Sequence, residues 1–370
     1  MSKLSRLRDN IAALAHALEK RETYDKSVLD KYTGFGGLGF VLNPLDTGVW
    51  AKSDLDCFVD TMKLQQVLRD NSKDEREYKA WMQSLKASTL TAFYTPREVP
   101  EAIFNALFGT KQGYYEQDII PKTMLDPAAG MGVFGLMAKY VALGHQMERI
   151  HVMSLEKDRL TGMLLNSKKE HGDMVYVDGF ESFPVDELGL YDLCATNVPF
   201  GDIKVYDPAY SDSKSEVRRD AAKMIHRYYV LKGLDCLRNG GLLMYIITSN
   251  YLNRDMEQLR EALKSASLVG AYRLANNLFK ENGTEVGTDL LVLQKNEGRG
   301  ELTDDECMLL TPSTEQDCPT NMYFTLHTDH VIATDRKADT DAYGKAGFVY
   351  YHKDGVKGIA KDMGLSLIHI

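Results

Sequence analysis

The sequence predicts an α/β protein in which a mostly parallel sheet follows a helical lobe, and three features carry that prediction. From residue 123 onward, the short apolar runs TMLD, HVMSLE, MVYVD, YDLCAT and GLLMYIIT alternate with helical or loop stretches, the pattern of a parallel sheet with crossovers. Two later runs, LVGAYRL (268–274) and DLLVLQK (289–295), are joined by a short connection with no crossover helix, which predicts an antiparallel pair at one edge. Ahead of the sheet, Leu4, Leu7, Ile11, Leu14 and Leu18 alternate spacings of three and four, one apolar face of an amphipathic helix.

In chain order, residues 1–90 are expected to form the helical N-terminal lobe, since 53–90 continue as charged, helix-compatible sequence. Within the lobe lies YTGFGGLGF, Tyr32 to Phe40, with glycines at 34, 36, 37 and 39. A phosphate loop ends in Gly-Lys-Ser/Thr. That ending is absent, so the stretch reads as a tight turn packed on Phe35 and Phe40. Phe93-Tyr94-Thr95-Pro96 then opens a helix to about Phe108, with Thr95 as N-cap and Pro96 at the first helical position. A threonine cap with free backbone N–H groups behind it is also a seat for a carboxylate. The sheet-bearing domain is expected over 91–297. Residues 298–364 are polar and aperiodic, and are expected to be a linker or tail. The last six residues, LSLIHI (365–370), match the in-frame translation of a transposon-end sequence used in DNA library preparation. They are read as non-native read-through, with the natural chain continuing past about residue 364.

With 44% hydrophobic and 26% charged residues in 370, the composition is that of a globular protein with ample core. No run of 18 uncharged apolar residues exists, and MSKLSRLRDN has no apolar signal core. Cys57, Cys194, Cys236, Cys307 and Cys318 form no CxxC pair, so they read as reduced thiols of a cytoplasmic protein rather than a zinc site. A net charge of −9 excludes a protein that coats nucleic acid non-specifically, but not one with a local basic groove.

The chemistry lies at four consecutive strand ends, where open α/β sheets bind ligands. Asp126-Pro127-Ala128-Ala129-Gly130-Met131-Gly132 leads from the first strand into a helix, and its glycines let backbone N–H groups approach a ligand closely. Glu156 ends the second strand, where an acidic residue accepts hydrogen bonds from the hydroxyls of a ribose. Asp178-Gly179-Phe180 ends the third, offering a carboxylate to an adenine amino group and a ring to its face. Asn197-Val198-Pro199-Phe200 ends the fourth. There the Asn197 side-chain oxygen and the Val198 carbonyl can accept both hydrogens of one planar amino group. Pro199 disfavours the α region for Val198, and Phe200 can stack on the ring that bears the amine.

In this order, FYTP, LDPAAGMG, LE, VDGF and NVPF resemble the motifs of the gamma-group N6-adenine DNA methyltransferases, over roughly 93–295. GTEVGTDLLVLQK (283–295) is similar to the hairpin that closes their sheet, while YTGFGGLGF and NVPFGDIKVYD are similar to the N-terminal part of large methylase–helicase proteins of bacterial mobile elements. The resemblance implies a Rossmann-like methyltransferase fold with a mostly parallel seven-stranded sheet and an antiparallel edge strand. It implies S-adenosylmethionine as cofactor and no metal. Thr95 would seat the methionine carboxylate; Asp126, Gly130 and Gly132 would line the methionine and sugar; Glu156 would hold the ribose; Asp178 and Phe180 would hold the cofactor's adenine. Asn197, Val198, Pro199 and Phe200 would receive an adenine flipped from double-stranded DNA. A helicase region C-terminal to this chain is a further implied partner. The sequence departs from the family's Asn/Asp-Pro-Pro-Tyr/Phe at Val198, which keeps the accepting carbonyl but lacks the rigidity of proline.

Related loops methylate a protein glutamine amide or an amino group in RNA, because the acceptor is again a planar NH₂. A catalytically impaired module that only binds DNA is a third reading. Lys204, Lys214, Arg218, Arg219, Lys223 and Arg227 form either a positive strip for a phosphate backbone or, interleaved with Asp212, Glu216 and Asp220, a charged solvated helix.

Overall fold

The computed structural model describes residues 2–19, 23–91, 94–109, 121–282, 284–340, 344 and 346–367; Phe93, Gly283 and residues 368–370 of the stretches singled out above lie outside them. The lobe is built from α1 (Lys3–Leu18), α2 (Lys26–Leu29), α3 (Phe58–Asn71) and α4 (Glu75–Thr91). Ser2 caps α1 by accepting the Ser5 N–H at 3.1 Å, and Leu7, Ile11 and Leu14 bury its apolar face. The glycine-rich turn packs Phe35 and Phe40 into this core. Asn10 and Arg6 of α1 donate to the carbonyls of Gly34 (2.7 Å) and Gly36 (3.1 Å), and the Phe35 N–H donates to Ser88 on α4. The turn is therefore a brace between two helices.

Helix α5 spans Glu98–Gly109 rather than opening at Pro96 with Thr95 as its cap. Pro100 explains the shift. A helix beginning at Pro96 would make Pro100 its fifth residue, where an N–H must reach back four positions. Beginning at Glu98 makes it the third, where that N–H is not needed. Thr95 is left in a buried lead-in, and the Pro96 carbonyl accepts the Val99 N–H at 3.1 Å.

The sheet domain runs β1 (Thr123–Asp126), α6 (Val133–Gly144), β2 (His151–Leu155), α7 (Arg159–Lys168), β3 (Met174–Tyr176) and β4 (Tyr191–Asn197). It continues with α8 (Pro208–Ser211), α9 (Glu216–Ala221), α10 (Ile225–Cys236), β5 (Leu237–Thr248), α11 (Ser249–Arg254), α12 (Met256–Ala262), β6 (Ala266–Leu274) and β7 (Thr288–Lys295). Successive strand residues alternate between two apolar cores. Leu125, Cys194 and Tyr245 face one; Met124, Leu193, Ala195 and Met244 face the other. That double burial is why these strands read as unbroken apolar runs.

The remaining elements are α13 (Asp304–Leu309), β8 (Pro312–Glu315), β9 (Cys318–Asn321), α14 (Met322–Leu326), β10 (Val331–Ile332), β11 (Asp335–Thr340), β12 (Ala346–Tyr351) and α15 (Gly355–Leu367). The main sheet has the order β10-β6-β7-β5-β4-β1-β2-β3, the Rossmann-like arrangement anticipated, with an eighth short strand added. Among the described strands of this sheet only β7 is antiparallel to its neighbours; it lies between β5 and β6 rather than at the edge as expected, because β6 passes beyond it and β10 pairs parallel outside β6. Strand order reverses at β1, between β4 and β2, so the crevice for a ligand opens beside Asp126 and Asn197.

The expected linker or tail over 298–364 is instead folded onto the sheet domain. A few apolar anchors suffice: Leu309, Tyr323, Phe324, Ile332, Tyr350, Ile359 and Met363 are buried, and α15 packs on α5. Polar ties do the rest. Arg299 pairs with the buried Glu306 at 2.6 Å. Arg273 of β6 makes a bidentate pair with Asp289 of β7 (2.9 and 3.0 Å), reaches Asn253 and Thr320, and lies 4.2 Å over the Phe324 ring. No helix among the described residues is long and apolar enough to cross a membrane.

Candidate active site

A cavity of about 1350 Å³ opens at the carboxyl ends of β1, β2 and β4, and α4 forms its far wall. It brings together Thr95, Gly130, Glu156, Asn197, Val198, Pro199 and Phe200. Gly130 holds φ at +54°, and a Cβ there would lie 2.9 Å from the Tyr94 ring. Its N–H donates to Glu156 Oε2 at 2.7 Å, while Glu156 Oε1 accepts the Asp158 N–H at 2.7 Å. The carboxyl group of this cavity-lining residue is thus fixed by two backbone donors, one on each oxygen. Burial, then the nearby Asp158 charge, push the Glu156 carboxyl up to about 8.

Asp126 and Gly132 act from below. Asp126 is fully buried; its Oδ1 accepts from Thr196 Oγ1 at 2.7 Å, and its Oδ2 has no partner among the described residues. Burial raises its carboxyl to about 7. Gly132 precedes α6 at φ +78°, where a Cβ would meet Leu165 at 2.7 Å. It shapes the turn without lining the cavity.

Two expected residues are placed elsewhere. Asp178 is exposed at the end of β3 and accepts the N–H of its neighbour Gly179. Phe180 is buried in the core against Tyr229 (centroids 5.1 Å), Tyr228 (5.9 Å) and Phe183 (6.0 Å), so its faces are taken. The next residue, Glu181, does line the cavity, ion-paired with Lys157.

In the loop after β4, the Val198 N–H donates to the Ile246 carbonyl at 2.9 Å. That bond to β5 restrains the peptide where a proline would have done so covalently. Phe200 is half-buried, edge-on to Phe279 at 5.5 Å and stacked with His226 at 6.4 Å.

Several lining residues carry no site role in the sequence reading. Tyr94 covers Gly130 and meets Thr161 Oγ1 at 3.0 Å; Asp158 caps α7 and accepts from Ser84 of α4 at 2.8 Å; Tyr229 lines the floor. The Asp158–Thr161 cap was legible as a local pattern. The α4 wall was not, because nothing local in 75–91 points to strand ends far along the chain. The basic run resolves toward the charged helix: Arg218 forks onto Asp235 (2.7 and 3.0 Å), while Arg227 joins Asp220 and Asp255. Lys204 and Lys214 remain exposed.

Two measurable consequences follow from this geometry. Asp126 and Glu156 hold protons in the native state that the unfolded chain releases near ordinary carboxylate pH. Their contribution to stability is complete below about pH 4 and is lost as pH rises through 7 and 8. Without ligand, the thermal midpoint should fall between pH 6 and pH 9, and Glu156→Gln should flatten that slope; a midpoint rising across the window contradicts the assignment. Gly130→Ala forces a left-handed alanine against Tyr94 and should lower the unfolding free energy by about 1–3 kcal/mol in urea titrations. An unchanged value would show that the turn relaxes freely.

A family model described as N-6 DNA Methylase matches residues 77–336. The chain is 25% identical over 215 residues to Defense against restriction protein B of Escherichia phage P1, covering 56% of this chain and 8% of that protein. It is 25% identical over 201 residues to the type II methyltransferase M.AccI of Acinetobacter calcoaceticus, covering 51% of this chain and 33% of that protein. The chain therefore spans well under half the length of either relative. Among solved structures, the methyltransferase subunit of a type I restriction-modification system from Streptococcus thermophilus is 16% identical, with a TM-score of 0.46, over 81% of this chain and 68% of that one.

Proposed function

The chain belongs to the N-6 DNA methylase family, and from that premise we propose that it transfers a methyl group from S-adenosylmethionine to the N6 amino group of an adenine flipped out of duplex DNA. One observation carries the reading: the Asn197–Phe200 loop and the pinned Glu156 carboxylate share a single cavity at the strand-order reversal.

The residues fit the cofactor. The orphaned oxygen on the buried Asp126 leaves a hydrogen-bond acceptor for a polar ligand group, and the Gly130 turn brings backbone close to the cavity. Glu156 would take the ribose hydroxyls and Thr95, on the cavity wall though not a helix cap, the methionine carboxylate, with Asp126, Gly130 and Gly132 shaping the methionine end. For the cofactor's adenine, Glu181 on the cavity wall replaces Asp178 and Phe180 as the nearest candidate. S-adenosylmethionine supplies an electrophilic methyl carbon on a positively charged sulfur.

The protein's own work is alignment and charge stabilisation. The N6 lone pair of adenine is delocalised into the ring and is a poor nucleophile. Asn197 Oδ1 and the Val198 carbonyl, each accepting one N6 hydrogen, favour a pyramidal nitrogen with its lone pair directed out of the ring; they stabilise the positive charge that develops there as the nitrogen–methyl bond forms and the sulfur–methyl bond breaks, until one N6 hydrogen leaves to water as a proton. Phe200 gives the flipped base a stacking face worth roughly 1–3 kcal/mol against an unstacking cost of a few.

The test is transfer of tritiated methyl groups from the cofactor to plasmid DNA, total RNA and protein in parallel, with the modified nucleoside identified by mass. The expected product is N6-methyladenine in DNA. Label in RNA or on protein glutamine, or DNA binding without transfer, would replace this reading.

A further inference from the structure

The segment after the catalytic loop carries an aromatic ring that the reaction as described does not use. Burial alternates along residues 203–206: Ile203 and Val205 are half-buried and line the cavity, whereas Lys204 and Tyr206 are exposed. Tyr206 is 70% exposed. Its backbone is nonetheless firmly held. The Val205 N–H donates to the Ala222 carbonyl at 2.9 Å. Asp207, the next residue, is buried and accepts from Lys232 Nζ (2.6 Å), Tyr228 Oη (2.7 Å) and the Ala209 N–H (2.9 Å).

A ring kept in water on an anchored stalk, beside the pocket meant for a displaced base, is a preorganised stacking surface. Extracting a base leaves a gap in the duplex, and proteins that distort DNA fill such gaps with apolar or aromatic wedges. Lys204, two residues earlier and likewise exposed, offers a charge to the adjoining phosphates.

Building on the DNA reading above, we propose that Tyr206 is the wedge that enters duplex DNA as the target adenine leaves it, with Lys204 gripping the neighbouring backbone. The wedge matters in proportion to how hard the base is to extract. An adenine opposite an abasic position leaves the stack at least cost and should need it least.

The test begins with plasmid DNA in which the wild-type chain's methylated adenines have been mapped. Oligonucleotide duplexes carrying that site are then made with the target opposite thymine or opposite an abasic position. Tyr206→Ala should lower kcat/KM on the paired duplex roughly 10- to 100-fold and leave the abasic-opposed duplex near wild type, and Tyr206→Trp should restore activity. With 2-aminopurine at the target, the fluorescence rise on wild-type binding should be lost in Tyr206→Ala. Equal losses on both duplexes, or no loss on the paired one, overturn the wedge while leaving the methyltransferase reading intact. A wild-type chain that methylates no DNA overturns that reading and the wedge together.

Discussion

Asn197→Ala is expected to lower the methyl-transfer rate at saturating cofactor and DNA by roughly 10²- to 10³-fold, while the fold and the cofactor affinity stay close to wild type. Asn197 ends β4 and lies on the cavity wall, whereas the contacts that fix Glu156 come from Gly130 and Asp158. Removing its amide takes away one of two acceptors for the N6 hydrogens without disturbing the carboxylate that is to hold the ribose. Single-turnover kinetics with calorimetric cofactor titration separates the two effects. A rate within about threefold of wild type would mean that the loop positions no amino group, whatever its resemblance.

Arg273→Ala is expected to destabilise the chain by about 3–5 kcal/mol in urea unfolding. The guanidinium is 2% exposed and its partner Asp289 is fully buried, so truncating one member strands an uncompensated charge among β6, β7 and the segment that packs beside them. Replacing both, as Arg273→Met with Asp289→Leu, should recover most of the loss, because the pair's attraction is offset by its own desolvation. A single variant that costs less than about 1 kcal/mol would show that water reaches the pair.

The strand ends were readable because buried parallel strands leave few choices. Runs such as YDLCAT are apolar on both faces, and the first polar residues after them must fall at the rim. Asp126, Glu156 and Asn197 were located by that logic alone. Direction beyond the rim was not legible. Phe180 follows β3 as the motif suggests, yet Tyr228 and Tyr229 of α10 take its faces, and their approach depends on a helix some fifty residues later. The start of α5 is set by Pro100, a constraint that the Thr95-Pro96 pair does not display. The folded 298–364 segment is not legible in the sequence because its apolar anchors are sparse and a strand such as Asp335–Thr340 is exposed along its length. Val198 lacks the rigidity of proline in the sequence, and the N–H bond to β5 that restrains it depends on tertiary structure.

The proposed function divides labour within one hollow, with a cofactor held from the β1 and β2 ends and an acceptor held from the β4 end. Calorimetric titration of S-adenosylmethionine into wild type, Glu156→Ala and Asn197→Ala tests it most directly. One-to-one binding that weakens at least about tenfold in Glu156→Ala and persists in Asn197→Ala is the predicted result. Binding indifferent to Glu156, or lost with Asn197, contradicts it.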